Sequence, residues 1–184
     1  MSSAISAHAN VREYQIDQRH GSIGFSVRQL GIFTVDGRFT RFTGRLAIDQ
    51  DHPTETRIDV TIEAGSASMA WSEAVAMLRS PDYFDVARYP AIHFVSRSVS
   101  EVANGHFVIN GVLTIRGSAH PQSLDATLVD ERTLPGGAHI ADFSITGEVQ
   151  RFAYGMVANR DFVGDIVHLT IAVRLTLDPP NHAN

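Results

Sequence analysis

Residues 167–175 read VHLTIAVRL, and this stretch decides the class of the fold. Hydrophobic side chains occupy every second position from Val167 to Leu175, while His168, Thr170 and Arg174 fall between them. A period of two residues is typical of a β-strand with one buried face and one face in water. The stretch therefore predicts a long strand, with its odd-numbered side chains pointing inward.

The same alternation recurs in shorter runs upstream, and residues typical of turns separate most neighbouring runs. The apolar or glycine positions of these runs are Ile23, Phe25 and Val27; Val35, Gly37 and Phe39; Phe42, Gly44, Leu46 and Ile48; Ile58, Val60 and Ile62; Ile92 and Phe94; Ile109, Gly111, Leu113 and Ile115; Leu124, Ala126 and Leu128; Ala141, Phe143, Ile145 and Gly147. About eight strands follow, and only one segment is long enough to be a helix. Short connections favour antiparallel neighbours.

An antiparallel sheet of about eight strands removes its two exposed edges by closing into a barrel. Between Phe39 and Phe42 the apolar parity shifts by one residue, which predicts a bulge or a sharp bend. Four glycines, Gly37, Gly44, Gly111 and Gly147, occupy inward positions. Two interpretations stay open: the glycines leave space for a ligand, or they permit the bends of a tight barrel.

The segment SMAWSEAVAMLRSPDYFDVARYPAIHFVS, residues 68–96, interrupts the alternation. Trp71, Val75 and Leu78 lie at helical spacing, so the pattern predicts a short helix over residues 69–79 that Pro81 ends. The helix and the aromatic residues after it predict an apolar cap on the barrel. A second, shorter helical turn is predicted near residues 151–155.

Composition indicates one domain and excludes several functions. The chain has 184 residues, 43% of them hydrophobic, and a formal charge of -5. Its basic residues do not cluster, which argues against nucleic-acid binding. No apolar run is long enough for membrane insertion.

We assign residues 1–12 to an arm, 13–178 to the barrel domain and 179–184 to a tail. The N-terminus lacks the features of a signal peptide. We therefore expect the protein in the cytoplasm, or in the periplasm if a signal has been removed.

The sequence offers little for catalysis or for a metal. It has no cysteine, and its nine histidines lack the spacing of metal ligands. No nucleophile elbow or phosphate-binding loop is present, and the predicted register turns Asp36, Asp125 and Asp142 outward. We therefore predict no catalytic residues, no metal site and no enzyme. The polar candidates near the cap are Arg79, Tyr83, Arg151 and Tyr154. For Arg79, Arg151 and Tyr154 a structural role is favoured over ligand contact.

Several segments, in order, carry a resemblance to a known family. They are His20-x-Ser22-x-x-Phe25-x-Val27, Leu30-Gly31, Val35-x-Gly37-x-Phe39-x-x-Phe42-x-Gly44, Leu78-Arg79-Ser80-x-Asp82-x-Phe84-Asp85, Tyr89-Pro90-x-Ile92-x-Phe94-x-Ser96, Gly111-x-Leu113-Thr114-Ile115-Arg116-Gly117, Arg151-Phe152-x-Tyr154-Gly155-Met156 and Val163-Gly164-Asp165-x-Val167. Over residues 14 to about 178, the chain resembles the YceI-like family of lipocalin-like barrels that bind polyisoprenoids.

The resemblance implies an all-β, antiparallel, lipocalin-like barrel with a long apolar cavity that holds a polyprenyl chain or an isoprenoid quinone. It also implies a binder or carrier, with lipid transport or a stress response as its role, that needs no other cofactor and forms a homodimer. Two alternatives stay open: a cyclase or isomerase acting on a polyene or quinone, and a closed structural barrel without a ligand. The predicted cavity-lining residues are Phe25, Val27, Phe39, Met69, Trp71, Val75, Met77, Leu78, Phe84, Phe94, Leu113, Ile115, Phe143, Ile145, Tyr154, Leu169 and Ile171.

The cap departs from the family pattern, because apolar residues replace polar ones usual for the family. Positions where the family carries charged or polar groups hold Met69, Ala74, Val75 and Met77, and Gln29 replaces a histidine. Two interpretations follow. Either the cap contacts a more apolar ligand through its flexible methionines, or Trp71 and the methionines fill the mouth of the barrel and shorten the cavity.

Overall fold

The computed structural model describes residues 11–16, 18–49 and 52–177. These residues form eleven strands, one α-helix and three short 3-10 helices. The strands are β1 (Val11–Ile16), β2 (Ser22–Gln29), β3 (Phe33–Phe39), β4 (Phe42–Asp49), β5 (Arg57–Glu63), β6 (Ala67–Met69), β7 (Ala91–Ala103), β8 (His106–Ile115), β9 (Ser118–Thr133), β10 (His139–Gln150) and β11 (Val163–Leu177). The helices are α1 (Ser72–Arg79) and the 3-10 helices Pro53–Glu55, Ala64–Ser66 and Arg151–Tyr154.

All strand pairs are antiparallel, and the sheet closes where β1 meets β11, with Gln15 opposite Thr176 and Ile16 opposite Leu175. Strands β1 and β2 follow one another along the same edge of β11. In the same way, β3 and β4 are two parts of one curved strand, and β5 and β6 are two parts of another. The result is an eight-stranded meander closed into a barrel, which confirms the predicted fold class.

The parity shift predicted after Phe39 is a break of two residues between β3 and β4. Ser66 fills this break: it is 4% exposed, its carbonyl oxygen accepts the Thr40 amide at 3.2 Å, and its hydroxyl oxygen accepts the Arg41 amide at 3.1 Å. These bonds satisfy backbone groups that the interrupted ladder leaves unpaired. The predicted bend is therefore confirmed.

The inward glycines accept side chains from neighbouring strands. A Cβ atom on Gly37 would lie 2.3 Å from the ring of Phe25, and one on Gly147 would lie 2.5 Å from a methyl carbon of Leu124. At Gly111 a Cβ atom would lie 2.4 Å from the Val95 carbonyl oxygen. A cross-strand neighbour therefore occupies the space that each of these glycines leaves. That the glycines also permit the bends of a tight barrel stays a prediction.

The cap differs in detail from its prediction. Helix α1 begins at Ser72, three residues later than predicted, because Met69 pairs with Gly37 as the last residue of β6. The helix ends at Arg79 as predicted, two residues before Pro81. The predicted turn near residues 151–155 is the 3-10 helix Arg151–Tyr154. Strand β1 was not predicted, and it begins at Val11, inside the range assigned to the arm.

Different segments of the chain lie at the two ends of the barrel. The cap end consists of the β2–β3 turn (residues 30–32), residues 70–90, the β8–β9 turn and residues 151–162. The described part of the far end consists of residues 52–56, the β7–β8 turn and the β9–β10 connection, residues 134–138. The rest of the predicted arm and the predicted tail lie outside the described residues.

Candidate functional site

The barrel encloses a cavity of about 610 Å³. Side chains from all eight continuous strands line it, together with residues of the cap. This volume falls within the range typical of small-molecule sites, about 300 to 1,000 Å³. The side chains of the protein therefore do not fill the barrel.

The cavity is long. On β11 its lining extends at least from Val167 to Leu175, with inward side chains at alternate positions. Eight residue steps at about 3.3 Å, on a strand tilted by about 40°, correspond to about 20 Å along the barrel axis. The cavity therefore fits a linear molecule better than a compact one.

Polar residues contribute little to the wall. Thr54, Thr56 and Glu101 line the far end, and Tyr83 and Arg151 line the cap end. Gln122 also lines the cavity, but its amide donates to the carbonyl oxygens of Ser123 and Glu148. All other lining side chains are apolar. The middle of the cavity thus favours hydrocarbon and offers no charge to a polar ligand.

Twelve of the seventeen predicted residues lie on the cavity wall. They share the inward parity of a strand or the inner face of the cap, and they are Phe25, Val27, Phe39, Leu78, Phe84, Phe94, Leu113, Ile115, Phe143, Ile145, Leu169 and Ile171. Whether they contact a ligand stays a prediction.

The other five predicted residues do not line the cavity, and four of them belong to the cap. Trp71 is 60% exposed and Met77 is 45% exposed, while Met69 and Val75 are half-buried in β6 and α1. Both interpretations of the cap placed Trp71 and the methionines at the cavity, but Trp71 and Met77 are largely exposed and Met69 does not line the cavity. For Met77 and Val75 the cause is that only one face of a short helix can meet the barrel.

Tyr154 is buried but also lies off the cavity wall. Its hydroxyl group donates to the Leu113 carbonyl oxygen at 3.4 Å, and its ring centroid lies 4.8 Å from that of His120. Burial raises the pKa of this phenol. Tyr154 therefore fastens the 3-10 helix to the barrel wall, as the structural interpretation predicted.

Sequence reasoning missed lining residues in the halves of β7 and β8 that lie toward the far end. A bulge at Arg97 inserts one residue opposite β8, so that the inward positions change from Phe94 and Ser96 to Val99 and Glu101. Phe107 then faces the cavity from β8. An alternation extended from Ile92 assigns Val99 and Glu101 to the outer face, and only the pairing with β8 corrects this.

The cap end is closed by buried side chains. Phe84 packs edge-on against Phe39 with ring centroids 5.6 Å apart, and Leu78 and Met156 line the cavity beside it. Tyr83 is 6% exposed, and its hydroxyl oxygen accepts the side-chain amide of Asn159 at 3.1 Å. These contacts join the helical cap to residues 156–162.

Arg151 holds the cap end together. It is 3% exposed, and its guanidinium donates to the carbonyl oxygens of Gly164 at 2.8 Å, Ala158 at 3.0 Å and Val163 at 2.7 Å, and also to that of Met156. Burial lowers its pKa, and the nearby Tyr83 and Asp165 act against this change. The structural role predicted for Arg151 is the one observed.

At the far end the cavity reaches the surface. Among the described residues, Thr54 and Glu101 are the lining residues classed as exposed, and both lie at this end. Thr56, next to them, is buried, and its carbonyl oxygen accepts the Ser96 hydroxyl at 3.2 Å. As far as the described residues show, the cavity therefore opens opposite the cap.

Two further observations concern the described residues alone. Within residues 11–16, 18–49 and 52–177, no group of three or more His, Asp or Glu side chains is arranged to hold a metal ion. In the same ranges, no helix has the length and apolarity needed to cross a bilayer.

A closed, eight-stranded antiparallel barrel around an apolar cavity defines a lipocalin-like barrel. The model of the YceI-like domain matches residues 14–175, so this chain belongs to the YceI-like family. A UPF0312 protein of Shewanella denitrificans is 36% identical over 136 residues, which cover 73% of this chain and 71% of the relative. A UPF0312 protein of Photorhabdus laumondii is 33% identical over 149 residues, covering 81% and 76% of the two chains.

Solved structures share the fold at lower sequence identity. BcnA of Burkholderia cenocepacia has a TM-score of 0.76 at 18% identity, covering 86% of this chain and 98% of its own. The YCEI protein of Campylobacter jejuni has a TM-score of 0.72 at 22% identity, covering 97% and 99%. A polyisoprenoid binding domain from Saccharophagus degradans has a TM-score of 0.64 at 12% identity, covering 88% and 97%.

Proposed function

We propose that this protein binds a long isoprenoid-type lipid, a polyprenyl chain or an isoprenoid quinone, inside the barrel and carries or sequesters it. The observation that supports this function is the long cavity of about 610 Å³, with apolar side chains along its middle and polar ones at its ends. The polyisoprenoid binding domain from Saccharophagus degradans has the same fold, which supports an isoprenoid as the ligand class.

Burial of hydrocarbon is sufficient for useful affinity. A chain that loses roughly 400 Å² of apolar surface to the wall gains on the order of 10 kcal/mol, at about 25 cal/mol per Å². Association costs of several kcal/mol reduce this gain. With a cost of about 4 kcal/mol, the remaining gain of about 6 kcal/mol corresponds to a dissociation constant of roughly 40 μM without an ion pair. Selectivity depends on the length and shape of the chain.

The direction of the ligand follows from the difference between the ends. The cap end is closed by Phe84, Tyr83 and Met156, whereas the far end reaches the surface beside Thr54 and Glu101. A ligand with a polar head therefore places its tail toward the cap and its head near Thr54 and Glu101, where hydroxyl and carboxylate groups replace lost water contacts.

Native mass spectrometry with added geranylgeraniol tests this function. Ala126 is 4% exposed and lines the cavity, so Ala126→Phe directs a ring into the space that the ligand needs. We expect a 1:1 complex with the unmodified protein and affinity at least about tenfold weaker in Ala126→Phe, because the added ring displaces buried ligand. The matched control is Ala172→Phe, since Ala172 is exposed on the outer face of β11.

Equal binding by all three proteins contradicts the assignment of the cavity as the site. Absence of binding in the unmodified protein contradicts the proposed function. A cyclase or isomerase releases its product, so conversion of the added geranylgeraniol to an isomer of the same mass, separated by chromatography, supports that alternative instead. Thermal melting of each variant shows that the barrel is intact.

A further inference from the structure

Large apolar side chains project into solvent from the cap end. The apolar rim, as we call this set, consists of Leu30, Ile32, Phe33, Trp71, Val157 and Phe162, which are between 50% and 75% exposed. Such residues are individually common on protein surfaces, but six of them on three segments at one end of a barrel are not.

Hydrogen bonds join the segments that carry the apolar rim. The Leu30 amide donates to the Phe162 carbonyl oxygen at 2.7 Å, which joins the β2–β3 turn to the loop before β11. The side-chain amide of Asn159 approaches the Met77 sulfur at 3.6 Å, which joins that loop to α1. Trp71 immediately precedes α1. The rim is thus one surface, built on packed elements.

The β2–β3 turn holds an exposed leucine in a costly conformation. Leu30 has φ = 53°, in the left-handed region where glycine and asparagine are favoured, and its side chain is 55% exposed. Neither burial nor backbone preference explains leucine here. Such conformations tend to persist where they serve a function.

The cap end and the rest of the chain differ in net charge. Residues 30–32, 70–90, 116–117 and 151–162 contain five arginines and four carboxylates, whereas the remainder contains ten arginines and sixteen carboxylates. An anionic surface therefore repels the body of the protein and not its cap end. This asymmetry orients the apolar rim toward such a surface.

We propose that the apolar rim docks the cap end onto an anionic phospholipid bilayer. Protruding tips with aromatic and aliphatic side chains insert into the deformable zone between headgroups and acyl chains, whereas a protein partner needs a matching shape. Arginines beside the rim, such as Arg28 and Arg160, are then close to lipid phosphates. Docking goes beyond the proposed function and does not depend on a ligand in the cavity.

The chain contains one tryptophan, Trp71, and it lies in the rim at 60% exposure, so its fluorescence reports docking directly. We expect a blue shift on adding vesicles of phosphatidylglycerol and phosphatidylcholine, and quenching when the acyl chains are brominated. The double variant Ile32→Ser with Phe162→Ser should weaken vesicle binding at least about tenfold, because both side chains are more than half exposed and their exposed apolar surface is what the bilayer would bury.

The matched control is Val102→Ser with Val129→Ser. These valines are 66% and 67% exposed and lie outside the rim, in β7 and β9. The control should bind vesicles as the unmodified protein does. No spectral change with any vesicle overturns the proposal, and so does equal loss in both double variants. A blue shift that depends on protein concentration without vesicles, with a dimer mass, also overturns it and assigns the rim to a second copy.

A second variant separates docking from stability. Leu30→Asn places a residue that tolerates positive φ at this turn, so we expect an unchanged or higher melting temperature. Vesicle binding should nevertheless fall, because a rim side chain is lost. Stronger vesicle binding by this variant contradicts the proposal. Since the vesicles contain no isoprenoid, these results are independent of the geranylgeraniol experiment.

Discussion

The two ends of the barrel differ in how they are closed. At the cap end, Phe84 and Met156 line the cavity, and Arg151 donates to four backbone carbonyl oxygens within residues 156–164. At the far end, exposed Thr54 and Glu101 line the cavity. The helical cap therefore acts as a floor for the ligand. Its outer face, with Trp71 exposed, is available for another role.

The largest expected change in the free energy of unfolding concerns Arg151 at the cap end. Replacing Arg151 by methionine keeps much of the side-chain volume and removes the donors to four carbonyl oxygens. We expect the free energy of unfolding to fall by about 3 kcal/mol, since buried acceptors without partners cost about 1 to 3 kcal/mol each and some will reach water. Urea denaturation measures the change.

The control for this variant is Arg116→Met. Arg116 donates to one carbonyl oxygen in the same region, that of Gly155 at 2.8 Å, so the loss should be about 1 kcal/mol or less. Similar losses in the two variants would show that Arg151 does not hold the cap end together.

The second effect compares the inner and outer faces of the cap. Phe84 lines the cavity and contacts Phe39, whereas Trp71 projects from the opposite side. We expect Phe84→Ala to reduce the free energy of unfolding by about 2 to 3 kcal/mol and to weaken geranylgeraniol binding. Trp71→Ala should change stability by less than about 0.5 kcal/mol and leave geranylgeraniol binding unchanged.

Calorimetry and the same mass spectrometry measure both variants. If Trp71→Ala weakened geranylgeraniol binding as much as Phe84→Ala does, the cap would contact the ligand in the way that the sequence suggested, and the assignment of the outer face would be lost.

The smallest effect concerns charge on the outer wall between β10 and β11. Asp142 accepts hydrogen bonds from Arg174 at 2.6 and 2.8 Å and from Arg132 at 3.2 Å. The bonds from Arg174, helped by Arg132 and opposed by partial burial, hold the pKa of Asp142 below its ordinary value of 3.8. The stability from this carboxylate is thus present above that value and is lost as the pH falls through the lowered pKa.

At pH 6 we expect Asp142→Asn to be less stable than the unmodified protein by about 1 kcal/mol or less, because the group is partly exposed. The difference should vanish in acid below the lowered pKa. Asp125→Asn, on the neighbouring strand β9, is the control. Urea denaturation at pH 6 and in acid measures the difference, and a gap that stays constant across this range would contradict the assignment.

Other predictions concern features outside this comparison. The homodimer, the cellular compartment, a role in transport or stress response and the absence of a cofactor stay predictions. The tail and residues 1–10 of the arm stay predictions as well, since they lie outside the described part of the chain, whereas residues 11 and 12 of the predicted arm belong to β1.

Predictions for the wall succeeded where a strand continues without interruption. In β11 the inward positions from Val167 to Leu175 all line the cavity, because the pleat fixes side-chain direction within one strand. The same reasoning failed after the bulge at Arg97, where an extra residue reverses the parity of β7. A bulge depends on pairing with the neighbouring strand, and the alternation within β7 does not show it.

Local sequence by itself determined the antiparallel strands, the bend after Phe39 and most of the cavity wall, because a two-residue period needs only the pleat and one buried face. Only the tertiary structure decided that β1 closes the ring against β11, that the inward glycines are covered, and that the cavity opens opposite the cap. These features depend on contacts between residues far apart in the chain, and no periodicity records which distant side chain fills a space or which end remains uncovered.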